Sequence, residues 1–481
     1  MWKKLLITGC VTFSLLSGGT LSAQPSCEIK EEVTSEQLDR TQKELVAMMK
    51  ELKNDSYFQT ELDKAAVQSS LSKRMAAYKD LTVRLLSVLE IQAELEWMKP
   101  EAIQEALGIM KKSSGFDAVL ADKRFGELKS LLAGGFDGIY TGDAQAIDKA
   151  NKTLTLKRKL MLMSPDVNVD KMLTVKFDLG ERANFVGAGS LGIQPNNWSN
   201  LSSASRKNFK AQLVELSGLQ SGELSEKVLY KPAVDGSSVT DLVLNWDGKR
   251  LMFTALDTTR RWQVHELDIN NGEAKQVTNI PEPDLEFFDG TYLPDGRMLA
   301  ISNIGYQGVP CVNGSDAVGN MVLYDPSNGY LRRLTFDQDA NWHPVVMANG
   351  KVMYVRWEYT DLTHYFSRIV MHMNPDGTEQ KSLYGSGSMF PNSIFDVQPL
   401  PKHTNRFVGV ISGHHGVARS GRLMIFDPAK SRKEEKGMIQ ELPFRGRPII
   451  PEVKDELVNG VWPQFIKPYP LTDETFLVTA K

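Results

Sequence analysis

The sequence predicts an α+β chain of two parts, an N-terminal helical region followed by a β-propeller. Three observations carry this expectation. Apolar residues recur at helical spacing up to about residue 163, and beyond it they fall in short β-type runs. The turns Trp246-Asp247-Gly248-Lys249, Pro294-Asp295-Gly296-Arg297 and Ala348-Asn349-Gly350-Lys351 repeat with their glycines 48 and 54 residues apart. A second turn, Asn271-Gly272, Asn328-Gly329 and Asp376-Gly377, repeats in phase with the first. Each unit reads strand, tight turn, strand, connection, strand, tight turn, strand, which is the layout of a propeller blade.

The first element is a leader. Lys3 and Lys4 precede an apolar stretch over residues 5–16, and Leu21-Ser22-Ala23 offers small residues for cleavage. Residues 1–23 therefore read as a signal peptide that sends the chain to the periplasm or outside the cell. Ser, Gly and Thr break the apolar run well short of the ~20 residues a bilayer span needs, so no membrane span is expected in the mature chain. Ile7-Thr8-Gly9-Cys10 has the look of a lipoprotein box, but apolar sequence still follows it, which favours cleavage over lipidation at Cys10. Cys27 and Cys311 remain, in a compartment that permits disulfides. Nearly 300 residues separate them, and Cys27 sits in a polar tail, so a bridge is not favoured.

Residues 24–163 are expected to form a helical domain. Thr34 and Gln37 make a capping-box pair, and Leu38, Leu45, Met48, Met49 and Leu52 line one helix face. A second run over 61–98 places Leu71, Met75, Tyr78, Leu81, Leu85, Leu89 and Ile91 on one stripe until Pro100 interrupts it. Shorter helices are expected over 101–112, 118–132 and 144–162, giving a helical hairpin or small bundle.

Residues 164–481 are expected to form the propeller, with blades beginning near Met172, Thr240, Phe288, His343 and Ser393 and a sixth near Pro463. That last unit shows one hairpin, over 465–468 and 476–479. A propeller left open exposes strand edges, so the 481 residues are expected to be an incomplete version of a longer protein. The net charge of −3, with 24% charged residues, describes an ordinary globular surface; no long basic run favours nucleic acid.

The densest polar chemistry lies in residues 341–378. Arg356, Glu358, Asp361, His364 and Arg368 fall within thirteen residues, interleaved with Trp357, Tyr359, Tyr365 and Phe366. They read either as a contact site or as a salt-bridge network that holds a blade connection, since buried charges need partners. Six histidines, His343, His364, His372, His403, His414 and His415, crowd into 73 residues. Imidazole is a common metal ligand and general base. No pair has HExxH spacing, however, and there is neither a zinc-ribbon cysteine pair nor a CxxCH for c-type haem. His414 and His415 follow a strand over 406–412, where adjacent residues face opposite sides, so at most one of them lines a given pocket. Cys311, in Gly308-Val309-Pro310-Cys311-Val312-Asn313-Gly314, is a candidate metal or partner ligand, although an inert buried thiol is the commoner fate.

Longer motifs carry a resemblance. Arg356-Trp357-Glu358-Tyr359-Thr360-Asp361 with His364, Met373-Asn374-Pro375-Asp376-Gly377-Thr378, Tyr384-Gly385-Ser386, Pro391-Asn392-Ser393 and Gly413-His414-His415-Gly416 are the principal ones. Tyr292-Leu293-Pro294-Asp295-Gly296, Val309-Pro310-Cys311, Leu334-Thr335-Phe336-Asp337, Trp462-Pro463 and Pro468-Tyr469-Pro470-Leu471 support them. From about Met172 onward the chain resembles the β-propeller of proteins related to the hydrazine synthase alpha subunit. The resemblance implies a secreted propeller of seven blades, here about five and the start of a sixth, accompanied by a CxxCH module that carries c-type haem. This chain has no CxxCH, so the cofactor, if any, belongs to a region beyond residue 481 or to another subunit.

The expected function is a secreted binding or scaffold module that positions a haem-bearing domain, a partner subunit or a small ligand. Arg356, Asp361, His364, His414 and His415 are the contact candidates, Cys311 is the metal candidate, and no catalytic residue is assigned. Two alternatives stand beside it. One is part of a c-type-haem oxidoreductase whose CxxCH lies beyond residue 481, and the other is a TolB-like envelope interaction protein.

Overall fold

The computed structural model describes residues 33–96, 98–167, 169–178, 199–207, 209–220, 224–358, 368–413, 419–444, 446–458, 460–461 and 463–480. The expected leader, Cys10 and Cys27 lie outside them.

The helices are α1 (Ser35–Met49), α2 (Ser56–Ala66), α3 (Leu71–Glu96), α4 (Pro100–Met110), α5 (Ala118–Ala133) and α6 (Ala144–Met161). The capping box at α1 is formed: the Gln37 N–H donates to Thr34 Oγ1 at 3.2 Å, and the Thr34 N–H donates to Gln37 Oε1 at 3.0 Å. The single run expected over 61–98 is instead two helices. Ser70 Oγ accepts the Lys73 N–H at 3.3 Å, so a hydroxyl cap starts α3 afresh just after α2 ends. Pro100 occupies the first turn of α4, where its missing N–H costs nothing, so it opens a helix rather than merely ending one. Leu45, Leu85, Ala121, Leu128, Ala150 and Leu160 are fully buried in one core.

Contacts group the described residues up to Met172, with those of Leu216–Glu226, into one compact unit; Leu173–Glu215 and Lys227–Lys481 make a second. The strands begin with a three-stranded sheet, β1 (Lys171–Asp178), β2 (Lys210–Ser217) and β3 (Ser225–Tyr230). Next come β4 (Val239–Leu244), β5 (Arg250–Leu256), β6 (Trp262–Asp268) and β7 (Ala274–Gln276), antiparallel in chain order. The same meander recurs in β8 (Phe287–Tyr292), β9 (Met298–Ser302), β10 (Asn320–Asp325) and β11 (Tyr330–Arg333). It recurs again in β12 (Asn341–Val346), β13 (Val352–Trp357), β14 (Arg368–Met373) and β15 (Lys381–Tyr384). A further copy is β16 (Ser393–Pro399), β17 (Phe407–Ser412), β18 (Arg422–Phe426) and β19 (Met438–Leu442), joined to the previous one through a parallel pair at Arg368 and Ser393. The hairpin β20 (Phe465–Pro470) and β21 (Phe476–Ala480) follows.

Successive antiparallel meanders of this kind are propeller-like, and the first strands pack side by side: β4 with β8, β8 with β12, β12 with β16 and β16 with β20. The repeated turns work as their glycines require. Gly248, Gly296 and Gly350 have φ of 66°, 90° and 79°, a region that residues with a Cβ avoid. Trp342, Trp357, Phe395 and Tyr384 are buried between the third and fourth meanders, where Trp342 and Trp357 stack at 6.4 Å.

Candidate functional site

Each first strand breaks its pairing at the same place. The register slips between Thr240 and Val243, Phe288 and Thr291, Trp342 and Val345, Phe395 and Gln398, and Ile466 and Tyr469. Within each slip one residue adopts a left-handed backbone: Asp241 (φ 54°), Asp289 (52°), His343 (54°), Asp396 (48°) and Lys467 (49°). Asp and His tolerate this region better than most residues, yet each instance still costs roughly 1 kcal/mol or more. Five such residues persist together only if their contacts over-determine them.

Those contacts form a hub. A bulge removes a residue's N–H from the strand ladder, and here the carboxylate of the preceding meander takes that N–H up. The Asp289 N–H donates to Asp241 Oδ2 at 3.2 Å, the His343 N–H to Asp289 Oδ2 at 2.6 Å, and the Lys467 N–H to Asp396 Oδ2 at 3.1 Å. His343 spans the remaining step, with Nδ1 3.3 Å from Asp289 Oδ2 and Nε2 3.3 Å from Asp396 Oδ1. Lys467 Nζ lies 3.3 Å from Asp396 Oδ1 and 3.4 Å from Asp241 Oδ1, so the last hairpin reaches back to the first four-stranded meander. Arg419, buried, lays its guanidinium over Trp342 at 4.5 Å and over Phe395 at 4.9 Å. It also donates to the Ser199 carbonyl.

Burial and charge act against each other in this hub. Burial raises the Asp241 carboxyl, with repulsion from Asp289 adding to it, against the pull of Lys467; its proton is held more tightly than usual. Burial also pushes on Asp289, but the attraction and hydrogen bonds of His343 overcome it and hold that carboxyl well below the usual range. Asp396 is likewise lowered: the nearby Lys467 and His343 outweigh its burial. Burial lowers Lys467, but the three carboxylates overcome that and raise it. Burial pulls the Arg419 guanidinium down to about 10, still cationic at neutral pH. Asp241, Asp289, His343, Arg419 and Lys467, with Thr240, Leu201 and Asn200, line a cavity of about 20 Å³, room for about one water.

The residues picked out from the sequence fall elsewhere. Arg356 lies on β13, with Nη1 3.3 Å from Asp337 and Nη2 paired to Glu358. Arg368 is buried over Trp357 at 4.2 Å. Asp361, His364, His414 and His415 lie outside the described residues, as does the side chain of Cys311, whose backbone belongs to the short turn Pro310–Val312. His372 sits on β14, and His403 Nε2 is 3.2 Å from Asp473. Among the described residues no cluster of three or more His, Cys, Asp and Glu is arranged to hold a metal ion.

Of the hub, sequence reasoning named only His343, and only as one of a crowd of histidines. A usable signal was present. Asp241, Asp289 and His343 each stand seven residues before the turn glycine of their repeat, Gly248, Gly296 and Gly350. Comparing residues at that fixed offset would have collected them.

No family model and no curated protein matches the sequence. Among solved structures, hydrazine synthase of Kuenenia stuttgartiensis aligns at 14% identity with a TM-score of 0.47, over 65% of this chain and 42% of that one. TolB of Acinetobacter baumannii aligns at 18% identity and 0.32, over 45% of this chain and 46% of that one. An oligogalacturonate lyase in complex with manganese aligns at 13% and 0.33, over 50% and 63%. The chain thus spans less than half of the hydrazine synthase chain it aligns with, and no family relationship follows from these likenesses. No described helix is long and apolar enough to cross a membrane.

Proposed function

We propose that this chain is a secreted binding or scaffold module that positions a partner subunit or a haem-bearing domain on its outer surfaces. One observation carries the reading: the hub's charges are matched to one another. Both His343 nitrogens face carboxylates at 3.3 Å, so the ring is held between two aspartates of neighbouring meanders. Asp241 and Asp396 are engaged by Lys467 and by backbone N–H groups, and the cavity lined by Asp241, Asp289 and His343 has room for about one water. A self-neutralised, strained centre of this kind suits a rigid platform whose work is done at its rim.

The test is to purify the full chain from its native source and measure complex formation together with the visible absorption spectrum. A stoichiometric complex with one second polypeptide, with the haem signal following that polypeptide on dissociation, is the expected outcome. A lone chain that shows covalent haem or turns over a redox substrate overturns the proposal.

A further inference from the structure

A second cavity, of about 360 Å³, lies between the meanders β4–β7 and β8–β11 and shares no lining residue with the hub. That size falls within the range of small-ligand sites. Trp246 stands at its edge, 63% exposed, in the turn between β4 and β5. The equivalent residues of the other repeats are Pro294 and Ala348, so the turn itself does not call for an indole.

The charged groups around this cavity leave donors, rather than acceptors, to spare. Glu266 already accepts the Tyr292 hydroxyl at 3.1 Å and pairs with Lys275 at 3.3 Å and Arg250 at 3.5 Å. Its acceptor capacity is largely used. Arg250, 45% exposed, also donates from Nε to Asp247 at 2.8 Å and keeps only its remaining guanidinium N–H groups, while Lys275, 74% exposed, pairs among the described residues with Glu266 alone and is the cation with donors to spare. A purely apolar ligand would strip water from all three charged groups with nothing in return. The cavity therefore favours a ligand with one flat apolar face for the exposed Trp246, hydroxyl groups at its edge, and a carboxylate for the spare donors of Lys275 and Arg250.

We propose that this cavity binds an acidic saccharide, one sugar ring stacked by its C–H face on Trp246 and its carboxylate held by Lys275 and Arg250. The site goes beyond the scaffold reading and does not depend on it. The test is isothermal titration of the full chain with a uronic-acid oligosaccharide, a neutral glucose oligosaccharide of equal length and an acidic peptide. The uronic-acid oligosaccharide is expected to bind about tenfold or more tightly than the neutral one, with affinity falling as salt rises. Trp246→Ala is expected to lower that affinity about tenfold, and Lys275→Met to weaken it and flatten its salt dependence, with circular dichroism unchanged in both. Equal binding of the two oligosaccharides, wild-type affinity in Trp246→Ala, tighter binding of the peptide, or no binding at millimolar concentration overturns the proposal. Partner complex formation measured on Trp246→Ala separates this outcome from the scaffold reading.

Discussion

Replacing Lys467 by Met keeps a long apolar stem and removes one charge from the hub. At 3.3 Å from Asp396 Oδ1 and an effective dielectric of ~20, Coulomb's law gives about 5 kcal/mol for that pair. The Lys467 side chain is 37% exposed, so water screens part of this attraction, and the substitution also removes the cost of desolvating the ammonium. Breaking a fully buried pair typically costs about 3–5 kcal/mol; with screening we expect about 2–4 kcal/mol. The carboxylates of Asp241 and Asp396 would be left facing each other's field with only Arg419 and His343 nearby. Denaturant unfolding of the full chain, followed by tryptophan fluorescence, measures the loss. The double variant Lys467→Met/Asp396→Asn, which removes the stranded charge too, should recover at least half of it. A single variant within about 0.5 kcal/mol of the parent, or a double variant whose cost is the sum of the two singles, would refute the idea that the hub is an interlocked charge network.

The two aspartates differ in sign with pH. Asp396 is held below its ordinary range, so it stabilises the fold above the unfolded carboxyl value of about 3.9, and that stability is lost as pH falls through its folded value. Asp396→Asn should therefore be destabilised at pH 7, with the gap to the parent closing below about pH 4 in pH-dependent thermal unfolding. Asp241 is raised, so its ionisation costs stability above the raised value; Asp241→Asn, which can still accept the Asp289 N–H, should be near neutral or stabilising at pH 7. Arg419→Lys should lose about 2 kcal/mol, because an ammonium does not reproduce a planar stack on both Trp342 and Phe395; a shifted tryptophan emission in the folded protein would report the change. Two glycines separate clash from backbone strain. A Cβ on Gly421 would lie 1.9 Å from the Ile411 carbonyl oxygen, so Gly421→Ala should cost about 3 kcal/mol. Gly296 has open space but a φ of 90°, so Gly296→Ala should cost about 1 kcal/mol, both read by thermal unfolding.

The helices and strands were legible because their signals are local. Thr34 and Gln37 lie three residues apart, and each turn glycine sits beside the strands it joins. The misreading of residues 61–98 as one helix has a local cause as well: the apolar stripe continues across Ser69-Ser70, and only the hydroxyl cap on Lys73 shows that the backbone restarts there. The expected contact residues were chosen by density along the chain, and density favours Arg356 and its neighbours. In the described structure Arg356 is already paired with Asp337 and Glu358.

From the sequence, then, come the change from helix to β period, the repeat and its tight turns, since each depends on residues within a few positions of one another. The hub comes only from the tertiary structure. Its members are 48, 54, 53 and 71 residues apart and differ in type, Asp, Asp, His, Asp and Lys; the offset from the turn glycine collects only Asp241, Asp289 and His343, and nothing local ties Asp396 and Lys467 to them. What unites them is a left-handed bulge at the same point of each first strand, which turns one side chain per meander toward a common centre. There, Lys467 meets Asp241 across 226 residues, an attraction that exists only once the strands between them have packed.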